Sequence, residues 1–237
     1  MTTVRVIGRG RAGRSLATAL GRAGWGLGGV LGRGDDVADA AAGVDLLVIA
    51  VPDDAVASVA GSVTPVASTV IAHLAGSLGL DVLAPHARRA ALHPLASLPS
   101  PEVGAERLQG AWFAIAGDPL IEKVVDSLDG RSFEVSDARR AAYHAAAAIA
   151  SNHLVALLAQ VERVAEGAGV PFDAYLDLVR ATVENVAALG PTDALTGPAA
   201  RGDDATIARH LAALPDGERQ LYEVLSDACR KLAACKS

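Results

Sequence analysis

The sequence predicts an α/β protein whose first half forms a doubly wound, mainly parallel sheet and whose second half is all helical. Up to about residue 135, short apolar runs alternate with helix-compatible stretches, which is typical of βαβ units. Two of these runs, VDLLVIAV and STVIAH, are continuously apolar, as strands covered on both faces should be. After Ser136 the strand-like runs stop. We therefore expect two domains, residues 1–135 and residues 136–237.

Seven segments of the first half are predicted to form strands because they are short, apolar and bounded by turn residues. They are residues 3–7, 27–31, 45–51, 69–73, 90–93, 112–116 and 132–135.

The second half is predicted to consist of helices. Ser136 and Asp137 favour a helix start, and the chain then runs without Pro or Gly to Gly167. A second helix is expected over 171–189, followed by a loop over 190–198. Two further helices are expected near 203–213 and 216–234.

The composition excludes several classes of protein. The 237 residues are 51% hydrophobic and 20% charged, which predicts a folded core. The formal net charge of −6 argues against a nucleic-acid partner. No apolar run reaches the length of about 18 residues that a membrane span needs, and the N-terminus does not resemble a signal peptide. Cys229 and Cys235 point to different faces of one predicted helix, so we expect no internal disulfide and a cytoplasmic location.

A glycine-rich turn, Gly8-Arg9-Gly10-Arg11-Ala12-Gly13, follows the first strand and opens a helix. In this context, Gly8 permits a tight turn, Gly10 lets a pyrophosphate approach the backbone, and Gly13 allows close helix–strand contact. The helix N-terminus adds free N–H groups and a partial positive charge. The turn therefore predicts a Rossmann dinucleotide site formed by these six residues. A purely structural glycine-rich turn is the alternative.

The end of the second strand indicates which dinucleotide binds. NAD sites carry an acid about 20 residues beyond the turn, which bonds the ribose. Here the strand ends in Leu31-Gly32-Arg33, and an arginine at this place favours the 2′-phosphate of NADP. In the alternative, Arg33 is a solvated loop residue and Asp35 or Asp36 contacts the ribose.

The end of the third strand is also predicted to line the cofactor. Val51, Pro52 and Asp53 follow this strand, and ligands bind at the carboxyl ends of parallel strands. An equally credible role for Asp53 is to cap the following helix.

Several segments together resemble a known family. They are the glycine-rich turn, VPDD at 51–54, HLAGS at 73–77, LHPL at 92–95, YHAA at 143–146, ASNHL at 150–154 and ALTGPAARGD at 194–203. In order and spacing they resemble the bacterial Rossmann-like NADP oxidoreductases with a C-terminal domain of unknown function. These proteins are similar to the 6-phosphogluconate, 3-hydroxyacid, prephenate and ketopantoate dehydrogenases. The resemblance covers nearly the whole chain and implies a helical domain that often dimerises. One departure is Ala96, where the family usually has Gln after the HPL segment.

His93 is the first candidate for chemistry, because hydride transfer to a carbonyl needs a proton donor near the oxygen. His93 lies at the predicted carboxyl end of a strand that Pro94 stops. The segment also resembles the His-Pro segment that approaches substrate in prephenate dehydrogenases. The alternative is a structural histidine bonded to a loop carbonyl.

The long helix carries further candidates. On a regular helix, His144, Ala148, Ser151 and Asn152 fall within roughly an 80° arc. The resemblance implies a Lys four residues before Asn152, and Ala148 stands there. His144 remains a candidate proton donor and Asn152 a substrate-orienting group, unless the two satisfy each other or the backbone. His73, Ser151 and Thr196 are predicted to contact substrate, although His73 also suits a loop-stabilising role. No spacing typical of a metal site occurs.

We interpret the chain as a cytoplasmic NADP-dependent reductase or dehydrogenase of a small oxo or hydroxy acid. Either His93 or His144 would be the acid–base group, and a ketopantoate-like 2-oxoacid is the first substrate to try, by superfamily analogy. A non-catalytic NADP-binding sensor or assembly protein is the rival, favoured by the missing Lys. Hydride exchange with a deazaflavin is a third possibility. We also expect a homodimer built on residues 137–237, with the 194–203 loop near the other subunit's cleft.

Overall fold

The computed structural model describes residues 1–235 and contains one seven-stranded sheet in the order β2-β1-β3-β4-β5-β6-β7. The first five strands pair in parallel, β6 is antiparallel to β5, and β7 is parallel to β6. All seven predicted strands are present, and the predicted α/β fold class is confirmed. The strands are β1 (Thr3–Ile7), β2 (Gly26–Leu31), β3 (Leu46–Ile49), β4 (Val70–His73), β5 (Arg89–Pro94), β6 (Trp112–Gly117) and β7 (Arg131–Glu134).

Helices connect the strands and make up the rest of the chain. They are α1 (Arg11–Arg22), α2 (Val56–Ser62), α3 (Pro101–Leu108), α4 (Leu120–Ser127), α5 (Asp137–Ala148), α6 (Leu154–Gly167), α7 (Asp173–Ala194), α8 (Pro198–Arg201), α9 (Asp204–Ala213) and α10 (Asp216–Ala233).

The sheet separates two apolar clusters, as the continuously apolar strands predict. Leu46 and Val48 of β3 point to the face covered by α1, α3 and α4. Leu47 and Ile49 of the same strand point to the opposite face, which α2 covers. All four side chains are completely buried. The sheet is therefore a rigid base for residues at its carboxyl edge.

A π turn over Ile149–His153 separates α5 from α6. A π turn inserts one extra residue into the helix and breaks the 3.6-residue register. The 80° arc predicted for His144, Ser151 and Asn152 is therefore wrong, because it assumes a regular helix. Residues beyond the π turn therefore do not keep the angular positions of a regular helix.

Helix α7 continues beyond its predicted end near Leu189, and the predicted loop over 190–198 is correspondingly shorter. Gly190 has a left-handed backbone angle, φ 78°, which kinks the chain, and helical structure then resumes as far as Ala194. Pro191 opens this last stretch, where its missing N–H is not needed.

The chain divides into two compact units, Met1–Ser151 and Asn152–Ser237, the second described to residue 235. The sequence places the boundary at 135/136, where the strands end, but the first unit includes α5. This helix lies against the segment that follows β4. A Cβ atom on Gly79 would lie 2.6 Å from Asp137 Oδ2, and one on Gly76 would lie 2.6 Å from His144 Cδ2.

The second unit contains α6 to α10, held partly by polar contacts. Gln160 of α6 donates to the Glu218 carbonyl of α10 at 2.8 Å, and Arg163 forms an ion pair with the Glu218 side chain. Arg230 joins α10 to Asp204 of α9.

One described helical stretch, Asp137–Gly167, is long and apolar enough to cross a membrane by length and composition alone. It also carries polar and ionisable side chains along its length, including His144, Asn152, Gln160 and Arg163. Such groups are expensive in a bilayer, and the most apolar part of this stretch is 6% buried within the described protein.

Candidate functional site

The glycine-rich turn lies where the strand order reverses. From β1 the chain passes to β2 on one side and then to β3 on the other, which opens a crevice at the carboxyl ends of β1 and β3. Gly8 has φ 128°, and a Cβ there would lie 2.1 Å from the Ala50 carbonyl oxygen after β3. A Cβ on Gly13 would lie 2.2 Å from the Gly8 oxygen. The steric roles predicted for Gly8 and Gly13 are confirmed.

The start of α1 has the features that a pyrophosphate needs. Gly10 is the N-cap residue and has no side chain that could cap the helix. The first turn of α1 contains no acidic residue. Nothing lies within 4 Å of the Cβ position at Gly10, so the backbone is open to close approach. The turn is held by the Gly8 N–H, which donates to the Leu31 carbonyl of β2 at 2.8 Å. These residues, with Arg11 and Ala12 in the first turn, fit a dinucleotide.

Two arginines lie near the end of β2. Arg9 donates to the Val30 carbonyl at 3.2 Å and forms an ion pair with Asp35 at 2.9 Å. The other acid of this loop, Asp36, accepts from the backbone N–H of Ala38. Arg33 is exposed and forms no ion pair with any residue in 1–235. Both loop acids therefore have partners within the loop, and Arg33 is available.

Asp53 belongs to a short 3-10 turn over Asp53–Ala55. Its carboxylate accepts a hydrogen bond from the Ser77 hydroxyl at 2.7 Å and caps no helix. The capping alternative is therefore wrong, because the side chain reaches across to the segment after β4. Val51 and Pro52 precede this turn, at the same edge of the sheet as the glycine-rich turn.

His93 lies near the carboxyl end of β5 and contacts two residues of α5. Its Nδ1 is 2.5 Å from the hydroxyl of Tyr143, and the two rings meet edge to face at 88°. The ring of His144 also meets His93 edge to face, at a centroid distance of 5.6 Å. The structure thus brings together two predicted site residues, His93 and His144, and adds Tyr143.

Burial sets the protonation of this pair. Burial, followed by the nearby His144, lowers the pKa of His93 to about 4. Burial raises the pKa of Tyr143 to about 12, with a small opposing effect of Arg140. At neutral pH the imidazole is therefore neutral and the phenol protonated. His93 therefore does not carry the second, imidazolium proton of a direct acid, whereas the Tyr143 hydroxyl keeps its proton.

The first unit should lose stability in acid because His93 is held neutral. The unfolded chain binds a proton near pH 6.5, whereas the folded protein binds it only near pH 4. Between these values the unfolded state holds more protons, so stability falls as pH drops through this window. The shift predicts a loss of about 2–3 kcal/mol from this group. In denaturant melts, the difference in free energy of unfolding between pH 4 and pH 7 should be smaller for His93→Asn than for the wild-type protein. An unchanged difference would contradict this assignment.

His73 is completely buried in β4. Its Nε2–H donates to the Gly79 carbonyl at 3.2 Å, and burial lowers its pKa. This geometry corresponds to the loop-stabilising alternative, since the bond ties the end of β4 to the segment over 74–79.

Three further residues are predicted to contact or orient substrate: Ser151, Asn152 and Thr196. The Ser151 hydroxyl donates to the Ala147 carbonyl of its own helix, and Ser151 is exposed. Asn152 and Thr196 belong to the second unit and are also exposed. Their roles stay predictions. Within residues 1–235, no group of three His, Cys, Asp or Glu side chains could hold a metal ion.

Sequence reasoning missed Arg140. Its side chain is 1% exposed, and its Nε donates to Asp137 Oδ1 at 3.1 Å. Its Nη1 and Nη2 atoms are buried and have no hydrogen-bond partner in the described chain. The sequence carried one signal for it. Arg140 precedes Tyr143 by three residues and His144 by four, and residues at these spacings share a face of a helix.

Fold and turn together define a Rossmann protein of the dinucleotide-binding class. A Rossmann-like domain model matches residues 34–99, and the model of DUF2520, a domain of unknown function, matches residues 112–229. The two ranges together span most of the chain, which belongs to the family of Rossmann-like proteins with this C-terminal domain. The family predicted from the resemblance is confirmed. No curated protein matches the sequence.

Solved structures are similar over nearly the whole chain. A "putative NADP oxidoreductase" from Bacteroides fragilis is 22% identical, with 97% of this chain and 98% of that one covered and a TM-score of 0.78. A Thermotoga maritima protein is 23% identical, with 98% of each chain covered and a TM-score of 0.74. A reductive aminase from Aspergillus terreus, solved with NADPH and ethyl levulinate, is 17% identical, with 99% and 98% covered and a TM-score of 0.71. These likenesses establish a shared fold.

Proposed function

We propose that this protein is an NADPH-dependent reductase of a small oxo acid, which it converts to the hydroxy acid. The observation that carries the proposal is the His93–Tyr143 hydrogen bond. It lies at the carboxyl edge of the same sheet that presents the open glycine-rich turn, and ligands of doubly wound sheets bind at that edge.

The residues of the turn and of the neighbouring strand ends would hold the cofactor. The backbone of Gly8–Gly13 takes the pyrophosphate, with Arg9 beside it, and Val51, Pro52 and Asp53 line the crevice. Arg33 pairs with the 2′-phosphate of the cofactor. Asp35 does not repel this phosphate, because the carboxylate of Asp35 is already paired with Arg9. When bound, the nicotinamide supplies the hydride. The NADPH of the A. terreus reductive aminase supports this cofactor.

Tyr143 supplies the proton to the substrate oxygen in this proposal. In the tautomer with hydrogen on Nδ1, His93 donates to the Tyr143 oxygen and leaves the phenol O–H free for the substrate. As the phenol gives up its proton, the Nδ1 proton passes to the phenolate while water protonates Nε2, so that the ring stays neutral. Later proton exchange with water restores the Nδ1–H tautomer. A phenol with a pKa of about 12 remains a stronger acid than an alcohol and therefore protonates a developing alkoxide. His144 packs on the imidazole and is a second candidate for this role.

The sensor alternative loses its main support. It was favoured because Ala148 replaces the Lys that the resemblance implies, but the Tyr143–His93 pair offers a proton route that needs no Lys. The decisive experiment is NADPH oxidation by a panel of oxo acids, including ketopantoate and levulinate, each with and without an added amine. Oxidation with any panel member supports a reductase, and dependence on the amine assigns a C=N substrate. Tight NADPH binding without any turnover supports the sensor.

Arg33 should decide the preference between the two cofactors. Arg33→Ala is expected to weaken NADPH binding by roughly 1–3 kcal/mol, because it removes a charge-assisted contact to the 2′-phosphate, and to leave NADH binding nearly unchanged. Calorimetric titration of both cofactors measures this. Arg22→Ala, at the other end of α1, is the matched control and should change neither affinity. Equal affinities of the wild-type protein for NADPH and NADH would contradict the assignment.

A homodimer built on the second unit remains part of the proposal. The predicted interface covered residues 137–237, of which 236 and 237 lie outside the described residues. Several large apolar side chains of α7 and α10 are exposed, which favours a covered face. They are Leu178, Val183, Val186, Leu189, Leu221, Val224 and Leu225.

Light scattering at micromolar concentration should give twice the chain mass of 24.0 kDa. Leu178→Glu combined with Leu189→Glu should lower that mass to one chain, because the two charges would be buried in the interface. Glu184→Gln, on the same helix, is the control. A wild-type mass of one chain would contradict the dimer.

A further inference from the structure

Arg140 is the largest fully buried side chain of the described protein. A guanidinium carries five N–H donors, and only the one on Nε is used, in the bond to Asp137. The Nη1 and Nη2 atoms have no partner among residues 1–235. A buried charge with four unbonded donors is costly, so this position favours a ligand that brings negative charge and acceptors.

The nearby acids do not serve as that partner. The carboxylate of Asp137 bonds only the Nε atom of Arg140, and the Asp137 side chain is 57% exposed. Asp53 accepts from Ser77 and makes no ion pair with Arg140. The Nη side of the guanidinium is therefore the unneutralised cationic centre of this cluster.

Arg140 lies within electrostatic reach of the proposed reacting pair. Its positive charge contributes to lowering the pKa of His93 and of His73, and it opposes the rise in the pKa of Tyr143 that burial causes. Arg140 and Tyr143 are also three residues apart on α5, and so lie on one side of the helix. A ligand held by the guanidinium is thus next to the phenol.

We propose that Arg140 binds the carboxylate of the substrate, and that the protein therefore selects oxo acids over neutral ketones. This assignment rests on the proposed function and names its substrate class. The two oxygens of a planar carboxylate match the Nη1 and Nη2 donors as a bidentate pair. The carbonyl of a small oxo acid lies only a few bonds from its carboxylate, within range of Tyr143.

The segment over 74–79 lies against the residues around Arg140. A Cβ on Gly76 would lie 2.9 Å from His93 Nε2, and one on Gly79 would touch Asp137. Leu74 and Leu78 pack against the two apolar clusters, and the His73–Gly79 and Ser77–Asp53 hydrogen bonds hold the rest of the segment. In this proposal a substrate reaches the guanidinium by displacing this segment, which requires these two bonds to open.

A matched pair of probes tests the assignment by binding alone. Levulinate and ethyl levulinate share the 4-oxopentanoyl group, but only levulinate carries a negative charge. Calorimetry with the NADP⁺-loaded protein measures the affinity for each probe without turnover. The wild-type protein should bind levulinate at least about tenfold more tightly than the ester. In Arg140→Gln this preference should disappear, while the affinity for the ester changes by less than about twofold. Arg139→Gln, exposed and one residue earlier, is the control and should keep the preference.

Arg140→Lys keeps the charge and tests the bidentate contact if the glutamine variant fails to fold. It should bind levulinate at least about fivefold more weakly than the wild-type protein, because a lysine offers a point charge without the fork. Equal binding of the two probes by the wild-type protein, or levulinate affinity that either Arg140 variant leaves unchanged, would overturn the assignment.

The outcomes also separate this assignment from the proposed function. Levulinate binding that depends on Arg140, without hydride transfer to any panel member, would contradict the reductase and keep the carboxylate site. Reduction of the acid and the ester with equal efficiency would contradict the carboxylate site and keep the reductase.

Discussion

Tyr143→Phe is expected to lower the rate of NADPH oxidation by an oxo acid about 100-fold, the range that general acid catalysis typically supplies. The change removes the hydroxyl whose proton goes to the substrate oxygen and leaves the ring packed against His93 and Phe133. His93→Asn should lower the rate at least about tenfold, because the phenol then loses its partner. NADPH affinity, measured by fluorescence titration, should be unchanged in both variants.

The double variant of His93 and Tyr143 distinguishes a coupled pair from two independent groups. Residues that act as a unit are non-additive, so the double variant should be no slower than Tyr143→Phe alone. The second unit offers a matched control, since His210 Nδ1 lies 2.6 Å from the Tyr222 hydroxyl in a similar edge-to-face arrangement. Tyr222→Phe should leave the rate unchanged. Full activity of Tyr143→Phe would refute the assignment of the proton donor.

Gly8→Ala should mainly lower stability, whereas Gly10→Ala should mainly weaken cofactor binding. Gly8→Ala is expected to destabilise the protein by roughly 3–5 kcal/mol, because its methyl group would overlap the Ala50 carbonyl at a backbone angle that favours glycine. Gly10 has φ −70° and open space at its Cβ position. Gly10→Ala should therefore keep its stability within about 1 kcal/mol of the wild type.

Gly10→Ala should nevertheless weaken NADPH binding at least about tenfold, because its methyl group occupies the approach of the pyrophosphate. Denaturant melts and calorimetry measure the two effects separately. Gly61→Ala, a helical glycine with open space in α2, is the control for stability and should bind NADPH normally. Normal NADPH affinity of Gly10→Ala would place the pyrophosphate elsewhere.

The sheet and the glycine-rich turn were predictable because their signals are local. Each strand is a short apolar run between turn residues, and the roles of Gly8 and Gly13 follow from a turn that joins a strand to a helix. The family resemblance rested on the order and spacing of short segments of the same kind. His93 was predictable as a candidate because Pro94 ends its strand at the ligand-binding edge.

Contacts between distant segments were not predictable. Tyr143 meets His93 across fifty residues of sequence, and Asp53 bonds Ser77 in place of capping its own turn. The burial that lowers the pKa of His93 arises from the same packing, so the histidine could not be ruled out as a direct acid.

Other differences arose where the backbone departs from ideal geometry or a charge is buried. The π turn after Ala148 breaks the regular helix geometry, and a single sequence gives no sign of the extra residue. Arg140 reads as a solvated helix residue beside Arg139, because most arginines are exposed. Only the packing of α5 within the first unit shows that Arg140 is buried.

Transfer of deuterium tests the central claim, NADPH-dependent reduction by this protein, most directly. NADPH carrying deuterium at both C4 positions would be incubated with the wild-type protein and the panel of oxo acids, and the products examined by mass spectrometry and NMR. We predict one deuterium on the former carbonyl carbon of at least one hydroxy acid product, with the yield strongly reduced in Tyr143→Phe. Bound deuterated NADPH with no deuterium in any product would contradict the reductase.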